Sequence, residues 1–179
     1  MQEYAKAEIK FENDKIASKA TATAQQFLKE YEYEEAENCN WIDYLKAENN
    51  SLVIESDAMC GWLDYVDLFK DLCTKLSEEY PGEYFYGESD YVNISGGFHY
   101  YMDAKFNENG LKIRETEICC EYCGNPAFGE DVLFMQNEDE GVLAFCSDKC
   151  KKAFLKEWDG DEEDWDEATY EDYEEANGF

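Results

Sequence analysis

Positive charge is scarce in this sequence. Its 179 residues include 15 lysines and arginines against 44 aspartates and glutamates, and the formal net charge is −29 at pH 7. A field of this sign repels the phosphates of nucleic acids and the anionic surfaces of membranes. We therefore expect no direct binding to DNA, RNA or membranes. We expect instead a protein partner with a basic surface, and nucleic-acid-binding proteins have the largest such surfaces.

Long apolar segments are also missing. No stretch approaches the roughly 20 apolar residues of a membrane span, and the N-terminus lacks the basic and apolar regions of a secretory signal. Hydrophobic residues nevertheless make up 44% of the chain and aromatic residues 16%, which is too rich for a disordered acidic chain. Together with the cysteine usage, these features favour a folded protein of the reducing cytoplasm.

Catalytic motifs are the third absence. The single histidine, His99, lies in a tyrosine-rich segment, and no nucleophile motif or phosphate-binding glycine loop accompanies it. Carboxylates are too numerous for one pair to be singled out as an acid and base. We therefore expect a protein without enzymatic activity.

Four cysteines carry the strongest positive signal. Cys120 and Cys123 are separated by two residues, Cys146 and Cys150 by three, and 22 residues lie between the pairs. This spacing is typical of a tetrahedral zinc site with thiolate ligands, and a site with only sulfur ligands is structural rather than catalytic. Gly124 suits the turn after the first pair, because glycine tolerates positive φ.

The second pair is placed where a helix is expected to begin. Ser147 is a suitable N-cap, so Cys150 falls in the first helical turn, where the helix dipole favours a thiolate. Alternatives remain open at this point: two disulfides, simple buried thiols, iron in place of zinc, or ligation by Cys119 in place of its neighbour.

The segment from Thr116 to Trp158 resembles the treble-clef fingers of the MYM/TRASH type. In those families a CxxCG knuckle is followed by a hairpin and then by an FCS-xx-C-xx-AF helix start. The matching residues are Cys120, Cys123, Gly124, Phe145, Cys146, Ser147, Cys150, Ala153 and Phe154. The resemblance implies a bound metal and a treble clef, with roles in protein contacts, metal sensing or structure, but no single function.

Residues 1–115 are predicted to form an α+β domain. Apolar residues alternate from Ala5 to Phe11, recur at helical spacing from Ile16 to Tyr31 and again from Asp64 to Tyr80, and alternate once more from Phe98 to Phe106. With a short strand at 52–54 and a hairpin through 107–110, this order predicts helices on one face of a mainly antiparallel sheet. A ferredoxin-like split is our first choice of topology.

Residues 159–179 combine acids with large aromatic side chains. We predict one helical face from Trp165 to Ala176 and a docking role for this tail; a helix packed on its own domain, or a solvated tail, are the alternatives. The residues expected to contact a partner are Glu157, Asp161, Glu162, Glu163, Asp164, Trp165, Asp166, Glu167, Tyr170, Glu171, Asp172 and Tyr173.

The charge, the finger and the tail lead to one functional hypothesis. The protein is expected to imitate nucleic acid and to occupy the basic channel of a nuclease or another nucleic-acid-binding protein. Acidic inhibitors of restriction or CRISPR nucleases are similar to it in composition only. The alternative is an adaptor in which a zinc finger (116–158) stabilises a surface for one specific partner without mimicry; acidity that serves solubility alone is the third possibility.

Overall fold

The computed structural model describes residues 3–30, 45–56, 62–93, 98–158 and 164–177. The chain divides into two compact units, Met1–Glu115 and Thr116–Phe179. None of the helices in the described ranges is long and apolar enough to cross a membrane. The sequence also suggests that the first helix continues into an acid-rich end at residues 30–37, of which only Glu30 lies within the described residues.

The first unit is built on a six-stranded sheet with two helices. Its elements are β1 (Glu3–Phe11), α1 (Asp14–Glu30), β2 (Leu45–Glu48), β3 (Ser51–Ser56), α2 (Trp62–Glu79), β4 (Phe85–Asn93), β5 (Phe98–Asn107) and β6 (Gly110–Thr116). The strand order is β2-β3-β1-β4-β5-β6, and β1 pairs antiparallel with both β3 and β4. The first four strands and two helices thus follow the ferredoxin-like split, which confirms the predicted α+β class, and β5 and β6 extend one edge.

The core of this unit lies between the two helices and one face of the sheet. In β1 every second residue from Ala5 to Phe11 is buried, as the alternation predicts. Small residues of α1, Ala17, Ala20 and Ala24, are fully buried and allow a close approach to the sheet. Leu72 and the other apolar residues of α2 complete the same cluster. Strand β2 was missed in the sequence because it has four residues and buries only the first.

The opposite face of the sheet is polar and holds one buried carboxylate. Asp103 on β5 is 6% exposed, and Arg114 on β6 donates to it from Nε to Oδ1 at 3.0 Å and from Nη2 to Oδ2. Glu88 lies directly across from Asp103 on β4, where two like charges repel each other. The bidentate guanidinium therefore offsets both the burial of Asp103 and this repulsion.

The second unit contains a three-stranded sheet with a helix on each side. After a 3-10 turn at Gly129–Asp131 come β7 (Leu133–Asn137), β8 (Gly141–Phe145), α3 (Asp148–Glu157), β9 (Asp166–Ala168) and α4 (Tyr170–Asn177). The strand order is β8-β7-β9. On the α3 side, Met135 and Phe145 are buried with Phe154 of α3. On the α4 side, Phe134 of β7 contacts the rings of Tyr170 and Tyr173.

The single helical face predicted from Trp165 to Ala176 is wrong in its first half. Asp166–Ala168 form a strand paired with β7, and the helix begins only at Tyr170. The start is fixed by a reciprocal cap: Thr169 Oγ1 accepts from the Asp172 backbone N–H, and the Asp172 carboxylate accepts from the Thr169 N–H. This is the capping-box arrangement, and its TxxD signal was present in the sequence.

Replacing Arg114 by methionine should destabilise the first unit. The change keeps the apolar stem but leaves Asp103 buried without its donor, which we expect to lower the free energy of unfolding by about 1–3 kcal/mol. The free energy of unfolding is measured by urea titration. Hydrogen exchange in peptides of β4 and β5 is measured as a second, local readout. The double variant R114M/D103N should recover most of the loss; equal destabilisation in the single and double variants would contradict the account.

Candidate metal centre

The first cysteine pair sits on a tight turn. The Cys120 N–H donates to the Asn125 carbonyl at 2.8 Å, and the Gly124 N–H donates to the Cys120 carbonyl at 2.8 Å. Gly124 has φ +70°, a conformation that favours glycine. This turn places the thiols of Cys120 and Cys123 on the same side, as the CxxCG pattern predicts.

The second pair is placed by the end of β8 and the start of α3. Strand β8 ends at Phe145, so Cys146 follows it directly. Ser147 caps α3 with an extended backbone, and its hydroxyl accepts from the Cys150 N–H at 3.3 Å. The cap therefore fixes Cys150 in the first turn of the helix, beside Cys146.

The four sulfur atoms form a compact cluster. The Sγ atoms of Cys120, Cys123, Cys146 and Cys150 all lie within 4.8 Å of one another. The Cys123–Cys146 Sγ distance is 3.7 Å and the Cys146–Cys150 distance is 3.6 Å. A tetrahedral zinc ion with bonds of about 2.3 Å requires sulfurs about 3.8 Å apart, whereas a disulfide requires about 2.05 Å. The thiols are free, so the disulfide alternative is wrong for these four residues.

The surroundings of the cluster favour ionisation of the Cys120 thiol and oppose ionisation of the Cys146 thiol. Burial opposes ionisation of Cys120, but backbone N–H groups of Cys146, Cys123 and Tyr122 favour the thiolate and lower the pKa of Cys120 to about 7. Burial and the neighbouring Cys150 thiol raise the pKa of Cys146 to about 12. Four adjacent thiolates would repel one another, and the positive charge of a divalent cation held by these four residues would offset that repulsion and keep the thiols deprotonated.

The residue next to the cluster is not part of it. Cys119 forms an isolated β-bridge with Pro126, while the metal-ligand group contains Cys120. The geometry therefore decides between the two overlapping spacings in favour of Cys120-x2-Cys123. Since all four donors are sulfur, they would complete a tetrahedral ion and leave no open position for substrate.

The predicted partner-binding residues that the structure describes are exposed, half-buried or buried, and three others lie outside the described ranges. Exposed side chains belong to Glu157, Asp164, Asp166, Glu167, Tyr170 and Glu171. Asp172 and Tyr173 are half-buried, the first as part of the helix cap. Asp161, Glu162 and Glu163 lie outside the described residues. Trp165 is only 7% exposed, so we reassign it from the surface to the core of the second unit.

Tyr122 is an exposed aromatic residue beside the cysteine cluster that was not singled out in the sequence. Tyr122 lies between the two knuckle cysteines, is 40% exposed, and donates from its hydroxyl to Glu157 at 3.0 Å. Its position inside the CxxC motif was the signal that could have identified it, because a two-residue spacer at a turn points its side chains outward.

No protein-family model matches the chain, and neither the curated proteins nor the solved structures contain a significantly similar one. The geometry of the cysteines therefore carries the metal assignment by itself: four close thiols compatible with a zinc site.

Exchange of single cysteines tests the ligand set. We expect Cys120→Ser to lose the tightly bound metal, because one sulfur donor is removed, and Cys119→Ser to keep one metal ion per chain. Metal content after purification without added metal, and the absorption spectrum after cobalt substitution, measure both. Loss of the metal in the Cys119 variant and retention in the Cys120 variant would reverse the assignment.

Proposed function

We propose that the second unit is a zinc-stabilised module that presents an acidic surface to a basic protein partner in the manner of a nucleic-acid mimic. The observation that carries the proposal is an uneven distribution of charge on a folded body. Residues 116–179 contain 20 acids and 4 bases, whereas residues 1–115 contain 24 acids and 11 bases. The smaller unit therefore holds the denser negative charge.

Within that unit, the bases all lie on α3, which also contains Asp148 and Glu157, whereas α4 has only acids. The four lysines, at 149, 151, 152 and 156, are all on α3. Helix α4 has four acids, Glu171, Asp172, Glu174 and Glu175, and no base. Because α4 lies on the opposite side of the sheet from α3, the lysines do not neutralise its carboxylates at close range.

The acidic helix is joined by acids from the segment that leads into the knuckle. The hydrogen bond to Glu174 raises the pKa of Tyr170, and the charge of Glu117 adds to the shift. Burial raises the pKa of Tyr173, with further contributions from Cys119 and Glu121. We call the set Glu117, Glu121, Glu171, Glu174 and Glu175 the acidic face.

Regular structure makes the acidic face suitable for binding. Four helical positions separate Glu171 from Glu175, so their Cβ atoms are about 6 Å apart along one side of α4. Carboxylates held on a folded scaffold lose less conformational entropy on binding than those of a flexible tail. Such a face would bring steered association and strong salt dependence to a basic channel. A nuclease or another nucleic-acid-binding protein offers a channel of this kind.

The zinc finger has a structural role in this proposal. The order of knuckle, hairpin and capped helix supports a treble clef of the MYM/TRASH kind, and a structural zinc ion contributes folding energy directly. Its ligands are Cys120, Cys123, Cys146 and Cys150. The proposed activity is inhibition by occupancy and needs no catalytic group.

A specific adaptor is the second candidate, and Tyr122 favours it. An exposed tyrosine on a rigid knuckle, oriented by Glu157, is the type of side chain that anchors a protein interface. Under this reading the finger itself recognises one partner, and the acidity is incidental to affinity.

Charge neutralisation separates the two candidates. Partners are captured from nuclease-treated lysate at about 50 and 500 mM salt, and the affinity of a captured partner is then measured. Under mimicry, E171Q/E174Q/E175Q should weaken binding on the order of tenfold, since exposed ion pairs contribute about 0.2–1 kcal/mol each. The variant should also reduce the salt dependence, and DNA or RNA should displace the partner.

The matched control is D67N/E78Q/E108Q, which removes three exposed charges from the first unit. It should change the affinity much less than the α4 variant does. Equal losses in the two variants would show that only the total charge matters. Salt-independent binding that is lost in Tyr122→Ala but not in the α4 variant would favour the adaptor.

A further inference from the structure

The residue that links the acidic segment to the metal centre is Trp165. It shares a buried cluster with Cys120, Met135 and Phe145, and Cys146 and Cys150 pack against the same cluster. Its ring centroid lies 5.5 Å from that of Phe154 and 5.5 Å from that of Trp158, in edge-on contacts. The side chain thus enters the space between the metal-binding helix and the small sheet.

The segment after Trp165 has few other attachments. Strand β9 pairs with β7 over three residues, and the Asn137 side chain donates to the Asp164 carbonyl at 3.1 Å. The rings of Tyr170 and Tyr173 lie 6.0 and 5.3 Å from that of Phe134. These partners belong to β7 or its turn, α4 also contacts β8, and Lys151 of α3 lies 4.0 Å from Glu167 of β9. The segment therefore depends on the sheet and α3 being in place.

Helix α4 is not stable on its own. It has eight residues and buries none of them, and an isolated helix of that length is unstable in water. Its last turn carries acids and no base, which is unfavourable at the negative end of the helix dipole. Residues 157–179 contain 12 acids and no base, so mutual repulsion also favours release.

The sheet and α3, in turn, depend on the cysteine cluster. The fully buried part of this unit is small, and α3 has no buried residue of its own. Domains of this size commonly need a metal to stay folded. Without one, the knuckle, the end of β8 and the start of α3 lose the bond network that holds them together. Phe154 and Trp158 then no longer enclose Trp165.

We propose that metal loading of the cysteine cluster controls the assembly of the acidic face, with Trp165 as the positioning residue that couples the two. In the metal-loaded protein the tryptophan holds β9 against β7, and α4 is ordered on Phe134. In the metal-free protein the segment from Asp164 onward is released. The coupling is reciprocal, so loss of Trp165 packing must also weaken metal binding to some degree.

Ring packing, rather than a hydrogen bond, holds the tryptophan. Trp165 Nε1 is buried and has no acceptor among the described residues. Trp165→Phe therefore removes a donor that makes no hydrogen bond to the described residues, and it keeps an aromatic ring in the cluster. It is the conservative partner to Trp165→Ala, which removes the ring and creates a cavity.

Hydrogen exchange of the full chain tests the proposal. In the zinc-loaded protein we expect protected amides in peptides covering 166–177. A chelator should raise their exchange rates at least tenfold while peptides of β1 and β4 stay unchanged. Trp165→Ala should raise exchange at 170–177 by about tenfold at saturating zinc, and it should bind zinc more weakly than the unmodified protein does. Trp165→Phe should restore most of the protection.

Unchanged exchange at 170–177 after chelation, or in the zinc-loaded Trp165→Ala variant, would overturn the proposal. Equal exchange in the alanine and phenylalanine variants would also contradict it. None of these readouts involves a partner, so the result is independent of whether the acidic face imitates nucleic acid.

Discussion

The close packing of four cysteine sulfurs, in a geometry that suits one divalent cation, is the constraint around which the second unit is arranged. The sulfurs of Cys120, Cys123, Cys146 and Cys150 lie within 4.8 Å of one another, a spacing that suits a tetrahedral ion. Around this cluster the chain places one turn, the end of one strand and the start of one helix. Met135, Phe145 and Trp165 are buried in one cluster with Cys120, and through Trp165 the acidic segment packs against the same cluster.

The chain combines this small centre with a charge that works against folding. A net charge of −29 destabilises any compact state through self-repulsion. In the first unit, a large apolar core and ion pairs such as Arg114–Asp103 offset this repulsion. The second unit has no comparable core, and in our proposal a metal ion at the cysteine cluster stabilises the same 64 residues that carry the acidic face. In our account the metal is the structural requirement that lets so acidic a surface be held in a defined shape.

Much of the fold follows from local patterns in the sequence. The alternation in β1, the helical spacing of α1 and α2, and the order of the remaining strands made the ferredoxin-like split the first choice of topology, although one of its four strands, β2, was missed. The ligands were predictable because a CxxCG turn and a Ser147 cap each encode their own geometry.

The predictions that were missed or wrong concern residues whose structure depends on tertiary contacts, or whose local sequence signal is weak. Strand β2 has almost no apolar alternation. Trp165 fits a helical face by spacing, yet it is buried because Phe154 and Trp158 form a pocket for it, which no local pattern encodes. The Thr169–Asp172 cap was readable, and recognising it would have placed the start of α4 correctly.

X-ray absorption at the zinc edge tests the central claim most directly. The sample is the full chain purified without added metal. Our account predicts one zinc per chain bound by four sulfur atoms at about 2.3 Å. Much less than one zinc per chain, or a first shell containing nitrogen or oxygen at about 2.0–2.1 Å, would contradict it.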